Sequence, residues 1–512
     1  MKKPNILILF TDQQRADTIG ALGNELIQTP ALDRLVKEGT AFIRCYSPSP
    51  VCISARCSLQ YGLYPQSTGL AMNGRMMDDN GRSYPELLSA AGYRTAAIGK
   101  CHFTPEANAL RGFDERITQE ELCSDYAEDD YRTWLKENGF NPCEPYGERG
   151  PMYYIPQTSR WAPEQHPSQW IGDRTIEWID AQGEQPWCLF SSFIHPHPPF
   201  SLPMPWNKLY RADDMPLPFV PDSAESLYTH INRTQNRYKW RDNGTDLNLI
   251  RCMRAYYYAA ISFVDFQIGR ILKTLEKSGE LDNTLILFSA DHGEYLGDYG
   301  CVGKRSMHDV AARIPMLARL PGTFDAGQVC AEPVSLVDVL PTALAAAGDN
   351  CAEAVDGEDL AGVAGGSSAR KVVFSQWGAE SRNMIYMAAS RDWKYIYSAG
   401  EHKEILFDRK ADPRESRNAA DRPGCAAVKE ELKQALFDYL GFDPDVVETV
   451  DGMRRWKKKP PLTQNYLTDN PDAGVLFQDE PDSLFAGIDG YHATRDPAGY
   501  TPAYWYRMFF GD

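Results

Sequence analysis

The sequence predicts an α/β protein, on three observations. Short apolar runs of strand length, Asn5–Phe10, Arg94–Ile98, Trp187–Phe193 and Thr284–Phe288, alternate with stretches of helical apolar spacing. Each run ends in a polar or charged cluster, and the carboxyl ends of strands are where open α/β sheets hold their ligands. The chain of 512 residues, 43% hydrophobic and 12% aromatic, can bury a large core. A formal net charge of −17 argues against nucleic acid or an anionic membrane as partner, so a small anionic substrate would need a locally positive pocket.

Taken in order, the N-terminus resembles a signal peptide only superficially. Its apolar run, Ile6 to Phe10, is preceded by Pro4 and has no small-residue cleavage site. It is read as a buried strand ending in Thr11-Asp12-Gln13-Gln14, where Asp12 and Gln13 offer oxygen ligands to a hard cation. A plain turn is the alternative for Asp12 alone. The segment from Thr29 has helical spacing at Leu32, Leu35 and Val36 with Gly39 as a stop, and Ala41 to Tyr46 can form a strand. The 12 cysteines have no regular spacing and no CxxC pair. Neither a zinc site nor a disulfide framework is expected, and a reducing cytoplasm is the simplest location. No apolar run is long enough to span a membrane.

The stretch from Ser47 to Gly69 organises the rest. Pro48 and Pro50 favour an extended approach, and helical spacing follows from Ser54 to Tyr61. Cys52 would then sit at or just before a helix N-terminus, where backbone N–H groups attract negative charge. Arg56 lies one turn on and can lean back towards it. A sulfur nucleophile, an anion-attracting helix end and a guanidinium suit a tetrahedral oxyanion; a merely buried cysteine is the alternative.

Further along, Tyr84 to Ala91 reads as a helix closed by Gly92, and the strand from Arg94 ends in Gly99-Lys100-Cys101-His102. In an extended segment Lys100 and His102 share a side, which suits oxyanion binding or proton transfer. Residues 104–186 show few periods and read as a long insertion walling the pocket. After the strand from Trp187, prolines hold His195 and His197 in a rigid loop. Leu249 to Lys277 is a long helix, and the strand from Thr284 ends in Ala290-Asp291-His292-Gly293-Glu294, a second candidate ligand pair. Lys304 follows, and Ile314 to Leu320 resumes strand character.

This set resembles the sulfatases of the alkaline phosphatase superfamily. The matches run in family order: the strand with Asp12-Gln13, CISARCSLQYGLYP at Cys52 and Arg56, NGR at Asn73, GKCH at Lys100 and His102, PHPPF at His197, SADHGE at Asp291 and His292, then Lys304. They span about the first 320 residues, with VSLVDVLPTAL similar to the family's closing helix region. Ser54 stands where proline is commoner, Tyr61 where threonine is, and Gln13 and His292 where other members carry Asp and Asn.

The resemblance implies a large mixed β-sheet flanked by helices, alkaline phosphatase-like, with a smaller C-terminal α+β subdomain. It implies that a formylglycine-generating maturation enzyme oxidises Cys52 to formylglycine, whose hydrate attacks the sulfur of a small anionic sulfate ester. Asp12, Gln13, Asp291 and His292 would hold one divalent cation, Ca²⁺ by its oxygen ligands, with Mg²⁺ or Mn²⁺ left open by the imidazole. Arg56, Lys100 and Lys304 would offset the sulfate charge, His102 would assist the hydrate, His197 or Lys304 would protonate the leaving oxygen, and Asn73 would bond a sulfate oxygen. His195 has no place in the motif.

Residues 1–370 are read as the catalytic domain, ending in Gly- and Ser-rich AGVAGGSSAR. Short strands from Lys371 and a helix from about Cys425 to Leu440 give a C-terminal antiparallel subdomain, 371–443. The Pro- and Asp-rich extension 444–512 ends in aromatic AYWYRMFFGD, expected to pack on the body or on a second copy in a homo-oligomer. Two other functions fit: a phosphonate monoester or phosphodiester hydrolase of the same superfamily, and a catalytically silent binding protein on this fold.

Overall fold

The computed structural model describes residues 2–121, 129–143, 145–147, 153–233, 246–349, 355–378, 383–441 and 443–459. In chain order the larger part contains β1 (Asn5–Asp12), α1 (Pro30–Glu38), β2 (Thr40–Phe42), α2 (Cys52–Tyr61), α3 (Tyr84–Ala90), β3 (Arg94–Gly99) and β4 (Glu115–Thr118). It continues through α4 (Asp130–Glu137), α5 (Pro167–Asp180), β5 (Trp187–Pro196), α6 (Leu247–Ser278), β6 (Thr284–Ala290), β7 (Met316–Arg319), β8 (Gln328–Cys330) and α7 (Val339–Ala346).

The eight strands form one sheet in the order β8-β2-β7-β6-β1-β5-β3-β4. Only β7 is reversed, running antiparallel to both β2 and β6. The central β1 is buried along its whole length, which is why it reads as an unbroken apolar run. Its Ile6, Ile8 and Phe10 join one layer with α2, α3 and α7, while Leu7 and Leu9 join the other with α1, α5 and α6. Because β1, β3, β5 and β6 are parallel, their carboxyl ends lie along one edge. Asp12 is level with Pro196, Gly99 with Ser192, and Thr11 with Ala290. That edge carries the site.

Residues 104–186 are not simply an insertion. Glu115–Thr118 closes the sheet as β4, and α4 and α5 cover one of its faces with Tyr131, Leu135, Trp170, Ile171, Trp178 and Ile179. Pro167 opens α5 and the His166 side chain accepts the Ser168 N–H, a start signal hidden by the surrounding aromatics. The stretch from Ala41 to Tyr46 is likewise two strands, Thr40–Phe42 and Cys45–Tyr46, pairing in different sheets. Residues 321–370 supply the edge strand β8.

The C-terminal part is a four-stranded antiparallel sheet, β9 (Val373–Trp377), β10 (Ile385–Ala389), β11 (Trp393–Ser398) and β12 (Lys403–Asp408), with helix α8 (Ala426–Leu440) on one face. The other face packs Val373, Ile385, Met387, Ile396, Ile405 and Phe407 against Tyr46, Val51, Tyr295, Tyr299 and Met307 of the larger part. A hairpin, β13 (Val447–Val450) and β14 (Met453–Trp456), closes this unit: the Trp456 ring stacks on Tyr397 at 3.8 Å and its indole N–H donates to the Tyr395 hydroxyl at 2.7 Å. The aromatic end of the extension lies outside the described residues, as does any contact it makes with a second copy.

Candidate active site

Helix α2 starts at Cys52 itself, two residues earlier than the spacing from Ser54 suggests, with Val51 extended as its N-cap. The Cys52 Sγ is buried at the sheet edge, 3.2 Å from His292 Nε2, 3.7 Å from Asp12 Oδ1 and 3.1 Å from Lys304 Nζ. Asp12 is the last residue of β1, and Asp291 and His292 directly follow β6, so parallel neighbouring strands deliver all three. Ligand atoms of Asp12, Cys52, Asp291 and His292 lie within 4.8 Å of one another.

Three features fit this cluster to a divalent cation. The His292 Nδ1 lies 3.0 Å from the Gly293 carbonyl; a proton there leaves the Nε2 lone pair facing the carboxylates. Burial, reinforced by Lys304, holds the His292 imidazole well below its ordinary range and therefore neutral, as a metal ligand must be. Burial and then the neighbouring Asp12 charge push Asp291 up to about 6, a repulsion that a cation between them would relieve. Asp12 itself is held low: burial works against its charge, but Lys100, His197, Arg56 and Lys304 outweigh it. Gln13 follows with a backbone φ of 67°, an uncommon conformation for a residue with a side chain. Its Oε1 sits 2.6 Å from Lys304 Nζ.

Arg56 does not lean towards Cys52 alone. Its guanidinium donates to Asp291 Oδ2 at 3.0 Å, Asp12 Oδ2 at 3.2 Å, Ser192 Oγ at 3.1 Å and the Lys100 carbonyl at 2.6 Å. It ties the two carboxylates together. Lys100 is fully buried, with Nζ 2.7 Å from Asp12 Oδ2 and 2.6 Å from Glu121 Oε2; burial disfavours its charge, but the two carboxylates raise its pKa overall. The glycine before it is required: at Gly99, φ 95°, a Cβ would lie 2.0 Å from the Ser192 carbonyl oxygen.

His102 is not in an extended segment with Lys100. Its φ of 57° turns it, its backbone N–H donates to the Glu120 carboxylate, and its Nδ1 is buried without a partner. Burial, then Lys100, lowers its pKa well below the ordinary value. His197 Nε2 lies 3.4 Å from the Tyr153 hydroxyl and 3.8 Å from Glu121 Oε2, and burial takes it down to about 3. Tyr153 thus brings part of the 104–186 stretch to the site. Asn73 Oδ1 accepts the Ile53 N–H at 3.0 Å, so that oxygen secures the start of α2. His195 bonds Ser168 Oγ at 3.1 Å and packs on His166, fixing α5 to β5.

Glu121, Ser192, Tyr153 and Glu294 also line the site, and none of them stands out in the sequence as a candidate. Even so, for Glu294 a signal existed, since it sits two residues beyond His292 in SADHGE. Glu121, in TQEE, had none, because its partner Lys100 is brought near only by the pairing of β3 with β4.

The mixed sheet and the buried cluster at its strand ends define an alkaline phosphatase-like fold. A structure of a phosphonate monoester hydrolase from Agrobacterium radiobacter superposes with a TM-score of 0.75 at 24% identity, covering 89% of this chain and all of that one. The sulfatase family model matches residues 4–349, and a model described as N-sulphoglucosamine sulphohydrolase, C-terminal, matches residues 297–440. An arylsulfatase of Clostridium perfringens is 29% identical, over 86% of this chain and 93% of its own. A choline-sulfatase of Rhizobium meliloti is 30% identical, over 89% and 90%. The chain belongs to the sulfatase family, a family of sulfuric ester hydrolases.

Proposed function

We propose that the protein hydrolyses sulfate monoesters with formylglycine, derived from Cys52, as nucleophile, and with one divalent cation, calcium by preference, held by Asp12, Gln13, Asp291 and His292. The observation that carries this reading is Cys52 Sγ lying between His292 Nε2 at 3.2 Å and Lys304 Nζ at 3.1 Å, at the start of α2. As a thiol the residue is a poor nucleophile, since burial and Asp12 push it up to about 12.

Formylglycine would supply an aldehyde hydrate as nucleophile: attack of one hydroxyl on sulfur would break the ester S–O bond and release the alcohol, and loss of the other hydroxyl's proton would break the C–O bond to sulfate and restore the aldehyde. The cation supplies Lewis-acid stabilisation of charge on the sulfate oxygens. The chain's own residues do the remainder. Lys304 places its ammonium beside the reacting atom and offsets charge developing there. Lys100 and Arg56 keep Asp12 and Asp291 ionised as ligands. His102, neutral and with a free Nδ1, can take the hydrate proton, and Lys304, or His197 once it has itself taken up a proton, can give one to the leaving oxygen. The Asn73 amide nitrogen is left for a sulfate oxygen. Lys100 and His102 suit sulfate monoesters, because a buried lysine and a neutral histidine act where charge and protons move as the S–O bond breaks.

We place the protein in a reducing cytoplasm, as the irregular spacing of its cysteines suggests. Maturation requires a formylglycine-generating enzyme. The test compares kcat/KM of matured protein on aryl and carbohydrate sulfates, a phosphodiester and a phosphonate monoester. Sulfate esters should be the best substrates; a phosphodiester preferred over every sulfate ester overturns the reading.

A further inference from the structure

Glu294 is fully buried, three residues beyond the metal-ligand candidate Asp291. One of its oxygens, Oε2, accepts the Gln13 Nε2–H in a short hydrogen bond and has the Tyr154 hydroxyl at 3.5 Å. The other, Oε1, accepts the Leu296 N–H at 2.9 Å and the N–H of Gly303, the residue before Lys304. The Gln13 amide is therefore read from both ends. A carboxylate can only accept and an ammonium can only donate, so Nε2 must face Glu294 and Oε1 must face Lys304 Nζ, 2.6 Å away.

We propose that Glu294 is a positioning residue that fixes the Gln13 amide with its oxygen towards the cation site while clamping the loop that carries Lys304. This rests on the metal reading above and goes beyond it. An amide has no intrinsic preference for which end it presents. Without an acceptor behind it, Gln13 could turn its NH₂ towards the cation, losing a ligand and setting a donor against the Lys304 ammonium. Outer partners of this kind typically change metal affinity by about 10–100-fold.

The test uses the full-length chain, stripped of metal and titrated with Ca²⁺ alone by calorimetry, with thermal melting as the check on folding. In Glu294→Gln the introduced side chain can still accept from Leu296 and Gly303 through its oxygen, but its NH₂ then faces Gln13 and favours the flipped amide. Calcium affinity should fall about 10–100-fold. The reciprocal pair Gln13→Glu with Glu294→Gln supplies an acceptor facing that NH₂ and an oxygen facing the cation, so affinity should return to within a few-fold of wild type. A role confined to holding Gly303 and Leu296 predicts no such rescue. If Glu294→Gln folds poorly, the pair is the deciding arm: recovery of fold and calcium binding supports the proposal, and failure to bind overturns it. Wild-type affinity in folded Glu294→Gln overturns this proposal alone. No calcium binding by wild type, or binding undiminished in Asp291→Ala, overturns it together with the metal reading.

Discussion

The Lys304 ammonium lies 3.1 Å from Cys52 Sγ and 2.6 Å from Gln13 Oε1, so one lysine touches both the proposed nucleophile position and a proposed metal ligand. A charge so placed acts on the transition state more than on ground-state binding. Lys304→Met should lower kcat on sulfate esters by about 10²-fold or more with a much smaller change in KM. Steady-state kinetics on matured protein check this, with melting to confirm the fold.

Lys100 supports the same site from behind Asp12. Lys100→Ala should reduce sulfate hydrolysis by about 10²-fold, the scale for losing one such charged group. A variant that loses thermal stability in proportion to activity, with residual folded protein fully active, would reassign Lys100 to loop support. Specific activity per folded molecule makes the distinction.

Metal dependence should be complete. Chelation should remove activity and Ca²⁺ should restore it, while Asp291→Ala should lower the metal-to-protein ratio measured by elemental analysis. Full activity in metal-free protein contradicts the site assignment.

The fold class was legible in the sequence, and so was the convergence of candidate residues at neighbouring strand ends. Asp12, Asp291 and His292 were legible because each directly follows an apolar run, and parallel strands bring such ends together. The long helix was legible from its period, running Leu247–Ser278 against an expected Leu249 to Lys277. The edge strand Glu115–Thr118 was not, since four residues with only one buried give no alternation to find. His102 was misjudged in geometry because its positive φ depends on the Glu120 carboxylate that receives its N–H, a contact the local sequence does not announce. Arg56 was expected to face the oxyanion, but two buried carboxylates claim its donors.

The buried pair His166 and His195 predicts a pH effect on stability. Burial lowers His195 from 6.5 to about 4, so its neutral form is favoured by folding. Its contribution is complete above the unfolded pKa near 6.5 and is lost as pH falls from 6.5 towards 4. Between pH 7.5 and 4.5 this one group should remove about 2–3 kcal/mol of stability. Denaturant unfolding of wild type and His195→Gln at both pH values should show a smaller acid loss in the variant.

A deeply buried lysine lies at the contact between the two parts of the chain. Lys394 Nζ donates to the Met307 carbonyl at 2.7 Å and to Asp309 Oδ1 at 2.8 Å, and pairs with Glu415. Lys394→Met leaves buried carboxylates short of a counter-charge and should cost about 3 kcal/mol. Because Met307 follows Lys304 by three residues, activity should fall as well. Equilibrium unfolding alongside kcat on folded protein measures both.

The central claim is that sulfate-ester hydrolysis depends on an aldehyde at position 52. Mass analysis of the peptide spanning Ser47 to Gly69, on preparations matured to different extents, tests it most directly. The account predicts that specific activity rises in proportion to the fraction of that peptide carrying formylglycine and that Cys52→Ala is inactive yet folded. Fully active protein whose peptide carries only the intact thiol would contradict it.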